Sequence, residues 1–173
     1  GKKLFITGGT GFFGFLLLLT LALLNKQGAG ISVTVLFRDH LCFLKKQPQF
    51  SGLKWLNFVQ GNVRNFDFPK YQYDLLIHAA TETSVSAHAN PLSIFNDIII
   101  GTRHIFDFAI QSGVERVLLI SSGAVYGAQP AGVSHIPEDA TFACSTDVSA
   151  NAYGEGKRCM EMLGTLYAQQ YGL

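Results

Sequence analysis

The stretch that most restricts the fold is Lys3 to Lys26, KLFITGGTGFFGFLLLLTLALLNK, in which Gly8, Gly11 and Gly14 fall at the spacing G-x-x-G-x-x-G between a short apolar run and a longer one. Leu4, Phe5 and Ile6 suit a buried strand, and the run that follows the glycines suits a helix. In a strand-turn-helix unit the first glycine permits a tight turn and the second lets the backbone approach a pyrophosphate. The third lets the helix pack closely on the strand. The unpaired N–H groups and partial positive charge at the helix start then suit the phosphates of a dinucleotide. The pattern predicts a nucleotide-binding turn.

The same stretch has a competing reading. Lys2-Lys3, the apolar run and Gly28-Ala29-Gly30 share the layout of an export signal. Three glycines at fixed spacing inside the apolar segment argue against it. The run Phe12 to Leu24, broken only by Gly14 and Thr20, is also shorter than the about 20 residues that span a bilayer. A helix apolar nearly all round is expected to be buried, between a sheet and a neighbouring subunit or domain.

With 173 residues, 48% of them apolar, the chain can build one domain with a real core. A net charge of +1 and the lack of a long basic run give no reason to expect a nucleic acid polymer or a membrane as partner. Cys42, Cys144 and Cys159 form no C-x-x-C pair and no ligand cluster with the five histidines. That dispersal predicts a reducing, cytoplasmic setting and no metal site.

Beyond Gly28-Ala29-Gly30, Ile31 to Phe37 reads as a second strand of β-branched and apolar residues. Its end bears on cofactor choice. An acidic residue about 20 positions past the glycine turn takes the ribose hydroxyls of NAD, whereas an arginine nearby accommodates the 2′-phosphate of NADP. The sequence offers Arg38 and Asp39 together, with Arg38 directly after the strand, which favours NADP over NAD; an exposed, solvated pair is the plainer alternative. His40 to Gly52 is a short helix or loop broken by Pro48. Lys54 to Gln60 is a third strand, and Gly61-Asn62-Val63-Arg64 a loop placed to border an adenine.

Asp74 to Ala80 is a fourth strand, whose small terminal residues Ala79 and Ala80 would let a cofactor pass close to the backbone. His78, at the end of an apolar strand, is more often structural than a catalytic base. Pro91 suits the first turn of a long helix that Gly113 ends. Arg116 to Ser121 is a fifth strand, Ala128 to Asn151 a long irregular loop, and Ser149 to Tyr171 a last helix. Strands alternating with helices of this size predict an α/β doubly wound parallel sheet with helices on both faces, three layers in all.

Two downstream clusters carry chemistry: Ser121-Ser122 at the fifth strand's end, and Tyr153 with Lys157 on the last helix. A spacing of four puts Tyr153 and Lys157 on one helix face. There the ammonium favours the phenolate and lowers the phenol's pKa from about 10, as a general acid/base working near neutral pH requires. A serine hydroxyl from the neighbouring strand end can bond the same substrate oxygen.

This order of glycine turn, serine after the fifth strand and Y-x-x-x-K resembles the extended short-chain dehydrogenase/reductase superfamily, specifically the NAD-dependent epimerase/dehydratase family acting on nucleotide-sugars. The residues that carry the resemblance are Thr7 to Gly14, Asp74 to Ala80, Gly101-Thr102, Ser121 to Gly127 and Tyr153 to Lys157. It implies a Rossmann-type domain over residues 1–173 with NAD or NADP as cofactor. By the same resemblance Ser122 polarises the substrate oxygen and Tyr153 acts as acid/base, while Lys157 holds the nicotinamide ribose. Gly8, Gly11, Phe12, Phe13 and Gly14 would line the pyrophosphate. Arg38, Asn62, Val63, His78, Ala79 and Ala80 would complete the cofactor site. A homodimer paired through the two long helices is also implied.

The departures from the family pattern are informative. Members that dehydrate dTDP-glucose carry Asp-Glu after the catalytic Ser/Thr, where this sequence has Gly123-Ala124. The acidic residue often found near adenine is Asn62. The asparagine that many members place three residues before Gly101-Thr102 is Ile98, with Asn96 two positions earlier. The family's portion after the Y-x-x-x-K helix, which completes the sheet and binds substrate, is absent. An NADP-dependent reductase of a non-sugar carbonyl and a non-catalytic NAD(P)-binding module stand as alternatives.

Overall fold

The structure, a computed structural model, describes residues 1–82 and 88–173. Five parallel strands form one sheet in the order β3-β2-β1-β4-β5. They are β1 (Lys3–Thr7), β2 (Ser32–Phe37), β3 (Leu56–Gln60), β4 (Leu75–His78) and β5 (Arg116–Leu119). Four α-helices are described: α1 (Phe12–Lys26), α2 (His40–Lys46), α3 (Pro91–Gln111) and α4 (Ala152–Tyr171). The doubly wound α/β architecture expected from the sequence is the one observed.

The sheet is central because β1 is buried on both faces. Leu4 and Ile6 join Leu18 and Leu21 of α1 and Val33 and Val35 of β2 in one core. Phe5, pointing the other way, joins Leu76, Ile105 and Phe108 in a second core beneath α3. Alternation along a strand thus separates the two layers. Ile94 and Ile98 of α3 close over Met160 of α4 in a third, smaller cluster. Asp39 caps α2 by accepting from Cys42 N–H at 2.9 Å, and Asn90 caps α3 by accepting from Ser93 N–H at 3.1 Å, with Pro91 in its first turn.

Several element ends differ from the sequence reading. β3 starts at Leu56 rather than Lys54, and β4 stops at His78, because the Ala80 N–H leaves the ladder for the Thr7 hydroxyl at 3.2 Å. β5 stops at Leu119, and residues 149–151 form a 3-10 turn before α4. The weak stretch after β2 resolves into α2 and a 3-10 turn at Pro48–Phe50. Of the burial expected for α1, between a sheet and a neighbouring subunit or domain, this chain supplies the sheet side. Gly14, Leu18 and Leu21 face the sheet, whereas Phe12 (74%), Phe13 (59%) and Leu23 (57%) are exposed. One helix against one sheet can bury only one stripe. Among the described residues no helix is long and apolar enough to cross a membrane.

Candidate functional site

The turn between β1 and α1 depends on its glycines in three different ways. Gly8 has φ +76°, and a Cβ there would lie 2.5 Å from the backbone of Ala79. A Cβ on Gly14 would lie 2.1 Å from the Gly8 carbonyl oxygen, so only glycine lets α1 start this close to the turn. A Cβ on Gly11 would touch just the Gly8 carbonyl, at 3.4 Å, and would otherwise project into open space. That space is a groove of about 320 Å³ across the C-terminal ends of the strands, the usual ligand position in open α/β sheets.

Of the residues expected from the sequence, Gly8, Gly11, Arg38, Asn62, Val63, Ala79 and Ala80 line this groove. Phe12 and Phe13 are turned out to solvent, and Gly14 lies buried under the turn. Asn62 accepts from the Arg64 N–H at 3.0 Å, which leaves its NH2 group as the donor. Gly101 makes room for Val63, whose Cγ1 would lie 2.9 Å from a Cβ at that position.

His78 has its side chain buried, 3% exposed, and outside the groove lining. Its Nδ1 is 2.7 Å from the Thr7 hydroxyl and its Nε2 is 3.3 Å from the Thr102 hydroxyl. Burial first, and the Lys157 charge second, push its pKa down to about 3. His78 therefore stays neutral and ties β1, β4 and α3 together from beneath the groove.

Ser122, Tyr153 and Lys157 are not among the residues lining the groove; Lys157 meets it through Thr81, and the turn after β5 packs on α4 beside it. The Ser122 hydroxyl accepts from Ala124 N–H at 3.2 Å and caps a 3-10 turn at Gly123–Tyr126. Gly154 lets α4 pack against this turn, since a Cβ there would lie 2.6 Å from the Ala124 carbonyl oxygen. Lys157, 3% exposed, donates to the Thr81 hydroxyl and the Ile120 carbonyl, each at 2.8 Å. Its Nζ is 6.0 Å from the centre of the Tyr153 ring. Burial lowers the Lys157 pKa from 10.5 to about 8, with the Glu161 charge opposing the drop.

Three polar groove residues were not singled out in the sequence: Thr81, Glu82 and Asp97. Glu82 pairs with Arg38 at 3.0 Å, and Asp97 with Arg64 at 3.1 Å. The one available signal was that Thr81 and Glu82 directly follow Ala79-Ala80. Among the described residues no group of three or more His, Cys, Asp or Glu side chains could hold a metal ion.

Known proteins resemble this chain in sequence and in fold. The model of the NAD dependent epimerase/dehydratase family matches residues 4–173. A UDP-glucose 4-epimerase of Cyamopsis tetragonoloba is 27% identical over 93% of this chain and 46% of its own length. A UDP-glucose 4-epimerase of Rickettsia typhi is 30% identical over 77% of this chain and 40% of its own. Among solved structures, dTDP-glucose 4,6-dehydratase of Streptomyces venezuelae with NAD and TYD bound superposes with a TM-score of 0.79 at 25% identity, covering 99% of this chain and 53% of that one. The chain spans about half the length of the relatives it matches.

Proposed function

The chain belongs to the NAD dependent epimerase/dehydratase family, and on that premise we propose that it oxidises or reduces a nucleotide-sugar through a keto intermediate, with Tyr153, Lys157 and Ser122 as its working side chains. The observation that carries this reading is Thr81. Thr81 lines the groove and its hydroxyl accepts from Lys157 Nζ at 2.8 Å, which supports Lys157 and the glycine turn serving one shared space. The substrate class is supported by the relatives, named as epimerases and dehydratases of UDP- and dTDP-sugars.

The residues present fit NAD or NADP. Gly11 leaves open the volume a side chain would fill, and Gly8 and Thr10 line the same wall. Asn62 and Val63 would border the adenine, and Lys157 would reach the nicotinamide ribose. When bound, the nicotinamide supplies the two-electron acceptor for the carbinol C–H of the sugar. Tyr153 takes the proton of the sugar hydroxyl on its phenolic oxygen, so the alcohol leaves as a ketone, and later returns it. Ser122 already accepts from the Ala124 N–H, so its own O–H is the donor to the substrate oxygen. With a pKa of about 8, Lys157 remains charged at neutral pH. Gly123 and Ala124 bring no carboxylate after Ser122, which supports epimerase, reductase or decarboxylase chemistry over 4,6-dehydration.

The test is Tyr153→Phe in the full-length protein. Loss of a general acid/base is expected to lower turnover by about 10²–10⁴-fold while cofactor binding, measured by calorimetry, stays intact. Full turnover in that variant overturns the assignment. Failure of the wild-type protein to interconvert any nucleotide-sugar favours a non-catalytic NAD(P)-binding module. A second reading, an NADP-dependent reductase of a non-sugar carbonyl, draws its support from Arg38 directly after β2. The proposal includes a homodimer paired through α3 and α4, supported by Ile100 and Ile110 of α3 and Leu166 of α4, which are exposed within one chain. Light scattering on the purified protein tests it.

A further inference from the structure

We propose that the outer face of α1 is a self-association surface that takes a second copy of this chain, whose own α1 lies antiparallel across the first. The pairing is separate from the chemistry of the groove and does not rest on it.

The face is set by how α1 is seated. Gly14, Leu18 and Leu21 are buried against the sheet, and at about 100° of turn per residue Phe12, Leu16, Leu19 and Leu23 come out on the side directly opposite. All four are exposed, from 39% at Leu19 to 74% at Phe12. They are four, three and four residues apart, the alternation that lines side chains into one seam and lets them enter the gaps of a facing helix. Thr20, beside the seam, donates its hydroxyl to the Leu16 carbonyl at 2.9 Å, so its hydrogen bonding is met within the helix. The face lies away from α3 and α4: Leu18 and Leu21 join Leu4 and Ile6 on one side of the sheet, whereas Ile105 and Phe108 join Phe5 on the other.

Position, spacing and area together choose the occupant. A further helix in the same layer would lie beside α1, as the Pro48–Phe50 turn does where Phe50 meets Phe15 edge-on, and would leave the opposite side facing out. What covers the seam has to form a layer beyond the three of the domain, and a second molecule provides one. The spacing also reads the same in both directions. A two-fold axis between Leu16 and Leu19 therefore sets Phe12 of each copy against Leu23 of the other, and Leu16 against Leu19, so every seam position meets an apolar one. With Phe13 and Leu24 along its edge, the patch exposes about 600 Å² of apolar side chain, as much as the largest patch on an ordinary monomer. Pairing two such patches removes about 1,200 Å² from water, the size at which specific interfaces begin. A lipid surface is the poorer match, because helices that lie on membranes carry a basic face and Lys26 is the one charged residue of α1.

The experiment is analytical ultracentrifugation of the full-length protein, with Leu16→Glu and Leu19→Lys variants run alone and mixed in equal amounts. Each variant alone sets its new charge against a leucine in both halves of the symmetric contact, and should sediment at half the wild-type mass. In the mixture the new carboxylate faces the new ammonium, and the wild-type mass should return. Halving is expected whether or not α3 and α4 also pair, and turnover is not read, so the outcome is independent of the proposed chemistry. Leu23→Gln covers the case in which a charge at the centre of the seam prevents folding. It should weaken self-association by about tenfold or more, because the symmetry removes the leucine twice. Wild-type mass in both charged variants overturns the proposal, as does a mixture that fails to recover it. A monomeric wild type overturns it too. Flotation of the wild type with phosphatidylcholine–phosphatidylserine vesicles, lost in Leu16→Glu at unchanged mass, overturns it in favour of a membrane.

Discussion

Replacing Lys157 with methionine is expected to abolish turnover and yet stabilise the fold at neutral pH. The ammonium is held in a site 3% exposed, where burial drags its pKa from 10.5 to about 8. A drop of that size corresponds to about 3 kcal/mol of unfavourable burial of the charged form. Methionine is unbranched, of similar length, and has no charge to desolvate. Against this gain stand the bonds to the Thr81 hydroxyl and the Ile120 carbonyl, each 2.8 Å, whose loss costs about 1 kcal/mol apiece. The variant should therefore be the more stable at about pH 7, by about 1 kcal/mol. The sign then changes with pH. Because the folded pKa lies below the unfolded one, the unfolded wild type binds the extra proton between about pH 8 and about pH 10.5, so its stability rises across that window. By about pH 9.5 the wild type recovers about 2 kcal/mol and overtakes the variant. Urea melts of both proteins at about pH 7 and about pH 9.5, compared by midpoint at matched slopes, give the difference directly. A difference that does not move with pH would refute the assignment of Lys157 as a buried ammonium, whatever its absolute value.

Gly14→Ala should lower the urea midpoint by about 2–3 kcal/mol of stability despite alanine's better helix propensity. The new methyl would lie 2.1 Å from the Gly8 carbonyl oxygen, with backbone on every near side; a wild-type midpoint would mean the turn and α1 are not packed as described. His78, neutral down to about pH 3 when folded, should make the protein lose stability as pH falls below about 6.5, since the unfolded state then binds the additional proton. His78→Gln, which keeps a hydrogen-bonding side chain without a titrating ring, should flatten that acid limb, and an identical pH profile in the two proteins counts against the buried histidine.

How much of this was legible in the sequence follows from what each signal depends on. The glycine turn and the strands were legible because their requirements are local: Gly14 is needed by a carbonyl six residues away, and Leu4, Phe5 and Ile6 are apolar on both sides of the pleat. Asp39 was legible as a charge but not as a cap, since a short polar side chain at a strand end serves a ribose or a helix start equally well. Thr81 was overlooked because its partner Lys157 is 76 positions away, and nothing in the sequence around either residue refers to the other. Glu82 and Arg38 meet only because the ends of β2 and β4 flank the same groove. The outer face of α1 is a different case. Periodicity reports that leucines occur on all sides of the helix, and it does not report how many of those sides find something to pack against.

The strand order also has a consequence for how this chain is made. β1 is the central strand, and one of its neighbours is β4, with Leu4 set opposite Leu75. A ribosome delivers β1, α1 and β2 well before β4 exists, so during synthesis Phe5 and Ile6 wait beside an unfilled edge. All four strand pairings are parallel, so none closes by a short hairpin. Such an intermediate presents both an unpaired strand and the leucine-rich outer side of α1. The yield of folded protein should therefore depend on translation speed and on chaperones that shield nascent chains, and more so than on the stability of the finished sheet.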